Sequence, residues 1–320
     1  SFPTRRSSDL KTLRIPQFFI KTPQSLFCGD MTLLEKDALL EKFSLSGEDA
    51  NVNFTLSTGE MYELDVSEHG DAVPKYKIAS QLQSDYIREM LARMAPEEKI
   101  ESCVKNICHI INRNNTFATS DIDAYVRRVV SNMTADEISV IETSFQTYAI
   151  KIKAKIEELQ NRHRESTFYK WLDSGKICCK EMYAFPQIIS PAAANSSVPL
   201  SLYEAECDDL NNYEAKLRDI FAGTESVEWW HRIIGKKGFR INAFINHYPD
   251  LIVKLKSGRI LVVEFKGDDR DNSDSKKKLK RGKLWQSSAG KNYRYFMVFD
   301  QNPIEDAYKL EAFKDMLDDM

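Results

Sequence analysis

The stretch Pro249–Lys266, PDLIVKLKSGRILVVEFK, decides the fold prediction for this chain. Its two apolar runs, LIVKL and ILVVEF, are typical of β-strands, and the KSG between them is typical of a tight turn. Asp250 precedes the first run, and Glu264 and Lys266 lie at the end of the second. The sequence therefore predicts a β-hairpin that carries a small group of chemically active residues.

The length of the turn determines whether these polar side chains meet. If Lys256–Gly258 forms a three-residue loop with its glycine in the left-handed conformation, Asp250 lies opposite Glu264. Side chains alternate between the two faces of a strand, so Glu264 and Lys266 then share a face with Asp250. A two-residue loop would place Asp250 on the other face. We therefore predict the three-residue loop.

Two carboxylates at the ends of neighbouring strands form an oxygen-rich site that suits Mg²⁺ better than Zn²⁺. A lysine beside them orients water or neutralises the negative charge that builds on a phosphate oxygen. A less specific interpretation is that these residues form a solvated hairpin surface. However, Val262 on one face and Leu261 and Val263 on the other favour a central, buried strand, where unpaired charges are costly unless they bind something.

Composition limits the class of protein. The chain has 320 residues, 42% of them hydrophobic, which is ordinary for a globular protein of two or three domains. A formal net charge of −3 gives no argument for nucleic-acid binding, so such an argument must come from local patches. We find no long apolar run and no signal peptide, and the six cysteines form no CxxC pair. We therefore expect a cytoplasmic protein without a membrane partner.

The first ten residues, SFPTRRSSDL, match one translated frame of a widely used sequencing adapter. We expect residues 1–10 to be an assembly artefact and exclude them from the fold prediction. The native chain is then expected to extend further upstream.

The remaining chain divides into four predicted segments. Residues 11–78 contain short strands and turns, with one short helix in MTLLEKDALLEKF, and form a β-rich module. Residues 79–165 have helical periodicity throughout. Residues 166–205 return to strand and linker composition. Residues 206–320 form a compact α/β unit.

The α/β unit has a recognisable order of elements. A helix capped by Asp208 or Asp209 is expected to run to about Ala222, with Glu214 at the edge of its apolar stripe. The runs VEWWHRI and FRINAFI then predict two strands, followed by the hairpin, a basic helix in KKKLKRGKLWQSSA and a final strand in YRYFMVF. This order predicts a central mixed sheet flanked by helices.

Several of these residues carry a family resemblance. Pro249-Asp250, followed after thirteen residues by Glu264-Phe265-Lys266, resembles the PD-(D/E)xK nuclease motif. The runs WWHR, GFRINAFINHYPDLIV, VEFKGDDRDNSDSKKKLKRGK and NYRYFMVFD resemble the C-terminal endonuclease region of type III restriction enzyme Res subunits, which are DEAD/DEAH-box helicase proteins. RIPQFFI and LLEKDALLEKFSLSGEDANVNF resemble the region that follows the motor in those proteins. The resemblance covers most of residues 11–320 and is densest after Glu204.

The resemblance implies a restriction-endonuclease-like fold and Mg²⁺-dependent hydrolysis of DNA, as in a type III site-specific deoxyribonuclease. It also implies three partners: double-stranded DNA, a methyltransferase (Mod) subunit that reads the site, and an upstream helicase motor on the same polypeptide. The chain contains no Walker A pattern, so we expect ATP to act on the full-length protein and not on this chain. The alternative is a non-catalytic module that keeps the nuclease fold and docks nucleic acid or partners.

Carried onto this sequence, the resemblance implies that Asp250 and Glu264 are Mg²⁺ ligands. Lys266 would orient water or stabilise charge, and Glu214 would be an auxiliary ligand or organiser. The main-chain carbonyl of Phe265 is a further candidate ligand, because backbone oxygens suit hard cations.

DNA contacts are expected from a different set of residues. His231 is a candidate phosphate contact, and Gln286 lies where a related nuclease group carries a site glutamine. Six basic residues among eight suit contact with the DNA backbone, although a solvated helix face is the simpler interpretation. These six are Lys276, Lys277, Lys278, Lys280, Arg281 and Lys283.

Overall fold

The computed structural model describes residues 4–5, 13–21, 31–54, 93–112, 117–267 and 272–320. The chain forms two compact units: a sheet unit, residues 1–41 and 164–320, and a helical unit, residues 42–163. The sequence also predicts a hairpin at 52–66, a polar, turn-rich boundary at 67–74 and a helix at 80–94, and these three features lie wholly or mostly outside the described residues.

The described residues contain both helices and strands, and no described helix is long and apolar enough to cross a membrane. The helices are α1 (Pro96–Ile111), α2 (Thr119–Ser131), α3 (Ala135–Asp173), α4 (Asn212–Gly223), α5 (Asn272–Ala289) and α6 (Leu310–Asp318). The strands are β1 (Arg14–Lys21), β2 (Met31–Leu33), β3 (Ile177–Ala184), β4 (Ala194–Asn195), β5 (Glu206–Cys207), β6 (Val227–Arg232), β7 (Ile241–Asn242), β8 (Asn246–His247), β9 (Leu251–Leu255), β10 (Ile260–Lys266), β11 (Tyr293–Phe299) and β12 (Tyr308–Lys309).

The helical unit follows the predicted periodicity, with one incorrect cap. Proline opens α1 as expected, and a capping box between Thr134 and Glu137 begins α3. The sequence pattern also predicts a cap for α2 at Ser120-Asp121, and this prediction is wrong, because α2 begins at Thr119 without a side-chain cap. The Asp121 carboxylate instead accepts hydrogen bonds from Ser44 and from the Leu45 main chain.

A three-stranded antiparallel sheet in the sheet unit has the order β2-β1-β3. It joins two segments that the sequence placed apart, since β1 comes from the expected module 11–78 and β3 from the segment 166–205. Thr4 and Arg5, within the expected artefact, form isolated bridges with Ile188 and Tyr203.

The short helix predicted in MTLLEKDALLEKF is present only in part. Met31–Leu33 is a strand paired with β1, whereas Lys36–Leu40 is a 3₁₀ helix of five residues. The Leu34 main chain bonds to Phe18 and to the side chain of Asn242. Tertiary hydrogen bonds and burial therefore outweigh the local helical preference.

The larger sheet has the order β12-β11-β10-β9-β6. β9 is antiparallel to β6 and β10, whereas β11 is parallel to β10 and to β12. A parallel pair requires a crossover connection, and α5 provides it. The predicted α/β class with a mixed sheet is thus confirmed. FRINAFI was predicted as a full strand, but only Ile241–Asn242 forms one.

β10 is the central strand and all of its residues are buried. Leu261 and Val263 pack against Phe221 of α4 in one core. Val262 belongs to a second core that includes Trp285 of α5. Each buried apolar side chain of this size contributes about 1.5–3 kcal/mol. Packing on both faces therefore fixes the position of the charged end of the strand.

Candidate active site

The hairpin has the predicted register. Leu261 pairs with Val253 and Val263 with Leu251, so continuing the ladder sets Asp250 opposite Glu264. The Gly258 amide donates to the Leu255 carbonyl at 2.9 Å, and Gly258 has a φ of 85°. A residue with a side chain would be strained in this conformation. The three-residue loop is therefore confirmed.

Asp250 is held at the start of β9 by the facing strand. Its carboxylate Oδ2 accepts a hydrogen bond from the Phe265 amide at 2.7 Å, and its own amide donates to the Val263 carbonyl at 3.0 Å. Burial raises the pKa of Asp250 well above its usual range, and the neighbouring Glu264 and Glu214 carboxylates raise it further. The site therefore strongly disfavours a charged Asp250 when no cation is present.

Glu264 is buried and faces two ammonium groups. Its Oε1 lies 2.7 Å from Lys266 Nζ and 3.3 Å from Lys278 Nζ. Burial alone would raise the pKa of Glu264, but His247, Lys278 and Lys266 outweigh burial and lower it. Because His247 is uncharged at neutral pH, the two lysines carry this effect there. The Glu264 Oε2 makes no hydrogen bond with any described residue.

Glu214 is fixed by contacts to both of its oxygens. Its Oε2 accepts from the Asn211 amide at 3.0 Å, and the Asn211 side chain accepts from the Glu214 amide at 2.9 Å. This capping box begins α4, so the predicted cap at Asp208 or Asp209 was wrong. Glu214 Oε1 accepts from Arg232 of β6 at 3.1 Å. These contacts fit an organising role for Glu214, which anchors α4 beside the sheet.

The predicted catalytic residues border one small cavity of about 150 Å³. An aromatic wall closes one side, where the Tyr213 ring stacks on Phe265 at 5.5 Å between centroids. A Cβ at Gly267 would approach the Tyr213 ring to 2.9 Å, so glycine permits this close approach. The lining residues are Asn211, Tyr213, Glu214, Tyr248, Asp250, Glu264, Phe265, Lys266, Gly267 and Lys278.

The six basic residues predicted to contact DNA do not share one surface. Lys276, Lys277 and Lys280 are exposed, and Lys280 pairs with Glu165 at 2.8 Å. Lys283 is half-buried and Arg281 is buried. Lys278 points into the cavity and contacts Glu264. The exposed basic surface is thus smaller than the sequence run implies.

The other two predicted DNA contacts are engaged inside the protein. His231 is buried, and its Nδ1 lies 2.9 Å from the Glu206 carboxylate. The Gln286 side chain accepts a hydrogen bond from the Tyr295 amide at 2.8 Å, which ties α5 to β11. Both residues therefore have structural partners in the described part of the chain.

Sequence reasoning missed two buried residues behind Glu264. His247 Nε2 lies 2.9 Å from the Tyr295 hydroxyl and 3.8 Å from Glu264 Oε2. Burial lowers the pKa of His247 to about 4 and raises that of Tyr295 well above its usual range. The position of His247 just before the Pro249-Asp250 pair was the available signal. Tyr295 carried no signal, because it reads as an ordinary strand residue.

The cavity offers a cation a small set of oxygen donors. Among the described residues, no group of three or more His, Cys, Asp and Glu side chains forms a ready-made metal site. Mg²⁺ requires less from the protein, because it commonly binds one or two carboxylates and keeps several waters. Asp250, Glu264 and the Phe265 carbonyl provide such a set. The Glu264 Oε2 accepts no hydrogen bond from a described residue, and neighbouring carboxylates disfavour a charged Asp250, so both observations fit a site that a cation would stabilise.

Comparisons of this chain with protein-family models, with curated proteins and with solved structures gave no match. A functional assignment therefore rests on the residues and geometry described above.

Proposed function

We propose that the sheet unit is a Mg²⁺-dependent DNA endonuclease domain of the PD-(D/E)xK type, which hydrolyses phosphodiester bonds. We further propose that the chain is the C-terminal part of a type III restriction Res subunit, as its sequence resemblance implies. The observation that carries the proposal is the convergence of Asp250, Glu264 and Lys266 on one cavity at the end of a central buried strand.

The order of elements also supports the proposal. Helix α4, which bears Glu214, precedes the antiparallel strands β6, β9 and β10. The crossover helix α5 then leads to β11, which is parallel to β10. This arrangement places the acidic helix and the charged end of β10 on the same cavity. A solvated hairpin surface, the less specific interpretation, does not account for side chains that are almost fully buried.

Asp250, Glu264 and the Phe265 carbonyl would hold Mg²⁺ in this site. When bound, the ion supplies Lewis acidity that activates water and offsets negative charge on the phosphate. Lys266 presents a fixed positive charge beside these ligands, where it can stabilise an oxygen that becomes more negative during hydrolysis. The Glu214–Arg232 pair holds α4 in position, and the stacked residues Tyr213 and Phe265 line the cavity.

A supercoiled-plasmid nicking assay tests the proposal. The wild-type chain is expected to nick plasmid with Mg²⁺ and to lose this activity when EDTA removes the ion. The isosteric variants Asp250→Asn and Glu264→Gln are each expected to lower the rate at least roughly 100-fold, since each removes a charged group at the reacting centre. Glu228→Gln is the control, because Glu228 is an exposed carboxylate that pairs with Lys254 away from the cavity.

The assay is then repeated with an ATP-driven motor and a methyltransferase partner, because the resemblance implies that both control cutting. Equal cleavage by the wild type and both variants would refute the catalytic proposal. Absence of cleavage in both settings would refute it as well, and DNA binding without cleavage would then favour the docking-module alternative.

A further inference from the structure

Lys278 differs from the other basic residues of α5. Its Nζ lies 3.3 Å from Glu264 Oε1, and its side chain lines the cavity. The same side chain lies 3.6 Å from Asp274 one helical turn earlier. These contacts place the Lys278 ammonium group inside the candidate active site, between the Glu264 and Asp274 carboxylates.

Glu264 Oε1 is shared by two cations in this arrangement. Lys266 is the nearer and the more buried, with 7% of its side chain exposed, whereas Lys278 retains 27% exposure. A carboxylate that also binds a divalent ion has less capacity for both ammonium groups. Lys278 makes the longer contact with Glu264 and has the more exposed side chain, so it is the lysine that would move away from Glu264.

The cavity offers Lys278 a second use. Lys266 and Lys278 project into it from different elements, β10 and α5, and so approach the same space from two directions. Two ammonium groups beside a cavity of about 150 Å³ suit a compact anion with several oxygens. A phosphate group has this size and charge.

We propose that Lys278 and Lys266 form a two-lysine binding site for a phosphate oxygen, and that Lys278 turns from Glu264 to the phosphate when Glu264 binds a cation. This inference rests on the proposed function, because it names the phosphate of a nucleic-acid substrate as the ligand. It also assigns Lys278 to the reaction centre and not to the general DNA-binding surface.

Binding measurements without DNA cleavage test the inference. The first is the calorimetric affinity for Mg²⁺ alone, and the second is the affinity for thymidine 5′-monophosphate at saturating Mg²⁺. The test variant is Lys278→Met, with Lys278→Arg as the variant that keeps the charge. The matched control is Lys254→Met, because Lys254 also pairs with a glutamate, at 3.0 Å, and is 28% exposed, but lies outside the cavity.

Opposite effects on the two ligands are expected. Lys278→Met should bind Mg²⁺ roughly 3- to 10-fold more tightly, because a competing positive charge at Glu264 is removed. It should bind the nucleotide roughly 10- to 100-fold more weakly, because a charged hydrogen bond to phosphate is lost. Lys278→Arg should recover much of the nucleotide affinity, and Lys254→Met should change neither value. Far-UV circular dichroism identifies any variant that fails to fold, in which case Lys278→Arg and Lys278→Gln carry the test.

Unchanged nucleotide affinity in Lys278→Met would overturn the inference, since Lys278 would then serve only to neutralise Glu264. Weaker binding of both ligands would also overturn it, because a general loss of structure would explain that result. If the wild type and its variants bind both ligands as expected but the wild type never cuts DNA, the two-lysine site stands and the nuclease proposal fails.

Discussion

Neutral substitutions at the two central carboxylates should change stability in opposite directions. Asp250 is buried beside two other carboxylates, whereas Glu264 is buried beside two ammonium groups. Asp250→Asn removes a charge that the metal-free site disfavours and keeps an oxygen to accept from the Phe265 amide. Glu264→Gln removes the negative charge that Lys266 and Lys278 both contact.

The expected magnitudes follow from these contacts. In EDTA at pH 8, Asp250→Asn should raise the free energy of unfolding by about 1–2 kcal/mol, which is typical when a strained functional site is relaxed. Breaking a buried pair by removing one partner typically costs about 3–5 kcal/mol. Because Lys278 is 27% exposed and can turn to solvent, about 2–3 kcal/mol is the expected loss for Glu264→Gln.

The pH dependence provides an internal check. Burial raises the pKa of Asp250 in the native state well above its usual value of 3.8, so the native state binds more protons than the unfolded state between these two pKa values. The stability that Asp250 contributes is therefore present at low pH and is lost as the pH rises through the native pKa. The free energy of unfolding of Asp250→Asn should therefore lack this part of the pH dependence.

Urea unfolding followed by tryptophan fluorescence measures these effects in the relevant unit, because all four tryptophans lie in the sheet unit. Adding Mg²⁺ should stabilise the wild type and leave both variants almost unaffected, since binding to the native state alone adds stability. The electrostatic account of this site would be refuted if Asp250→Asn were less stable than the wild type in EDTA. It would also be refuted if Glu264→Gln were more stable than the wild type.

Three further predictions concern the surrounding framework. Gly282→Ala should destabilise the sheet unit by about 1–3 kcal/mol in urea unfolding, because the added Cβ would lie 2.2 Å from the Tyr295 ring. The control Gly235→Ala should be nearly neutral, because its added Cβ would meet nothing within 4 Å. Asn211→Ala should cost about 1 kcal/mol by removing the α4 cap, and Asn211→Ser should retain most of that stability. Burial lowers the pKa of His247 to about 4, so its NMR signals should not titrate near neutral pH. Protonation of His247 should lower the free energy of unfolding only as the pH falls below 6.5. Titration of the His247 signals near the usual pKa of histidine would contradict this assignment.

The central hairpin shows how much of the fold was readable from local pattern. The apolar residues on both faces of β10 predicted its burial, and a glycine at position 258 predicted the loop length and so the register. Both are short-range properties, because side-chain period and turn conformation depend on neighbouring residues. The same holds for the buried stripe of α4, where Leu217 and Phe221 face the core as expected.

The secondary-structure predictions failed where the conformation of a segment depends on partners that are distant in sequence. Met31–Leu33 was predicted to lie in a short helix, yet it pairs with β1. Asn242 was predicted to lie in a long strand, but its side chain bonds to the main chain of Phe18, 224 residues away. No window of sequence contains both members of such a pair, so local propensity cannot anticipate them.

The sequence alone therefore determined the central strand, its hairpin register and the trio of Asp250, Glu264 and Lys266. Only the tertiary structure decided which charges act together with that trio. In the sequence, Lys278 is one of six similar basic residues. The packing of α5 against the sheet brings its ammonium group to Glu264. The physical reason is that covalent neighbours set side-chain spacing, whereas the packing of separate elements sets which charges share a low-dielectric cavity.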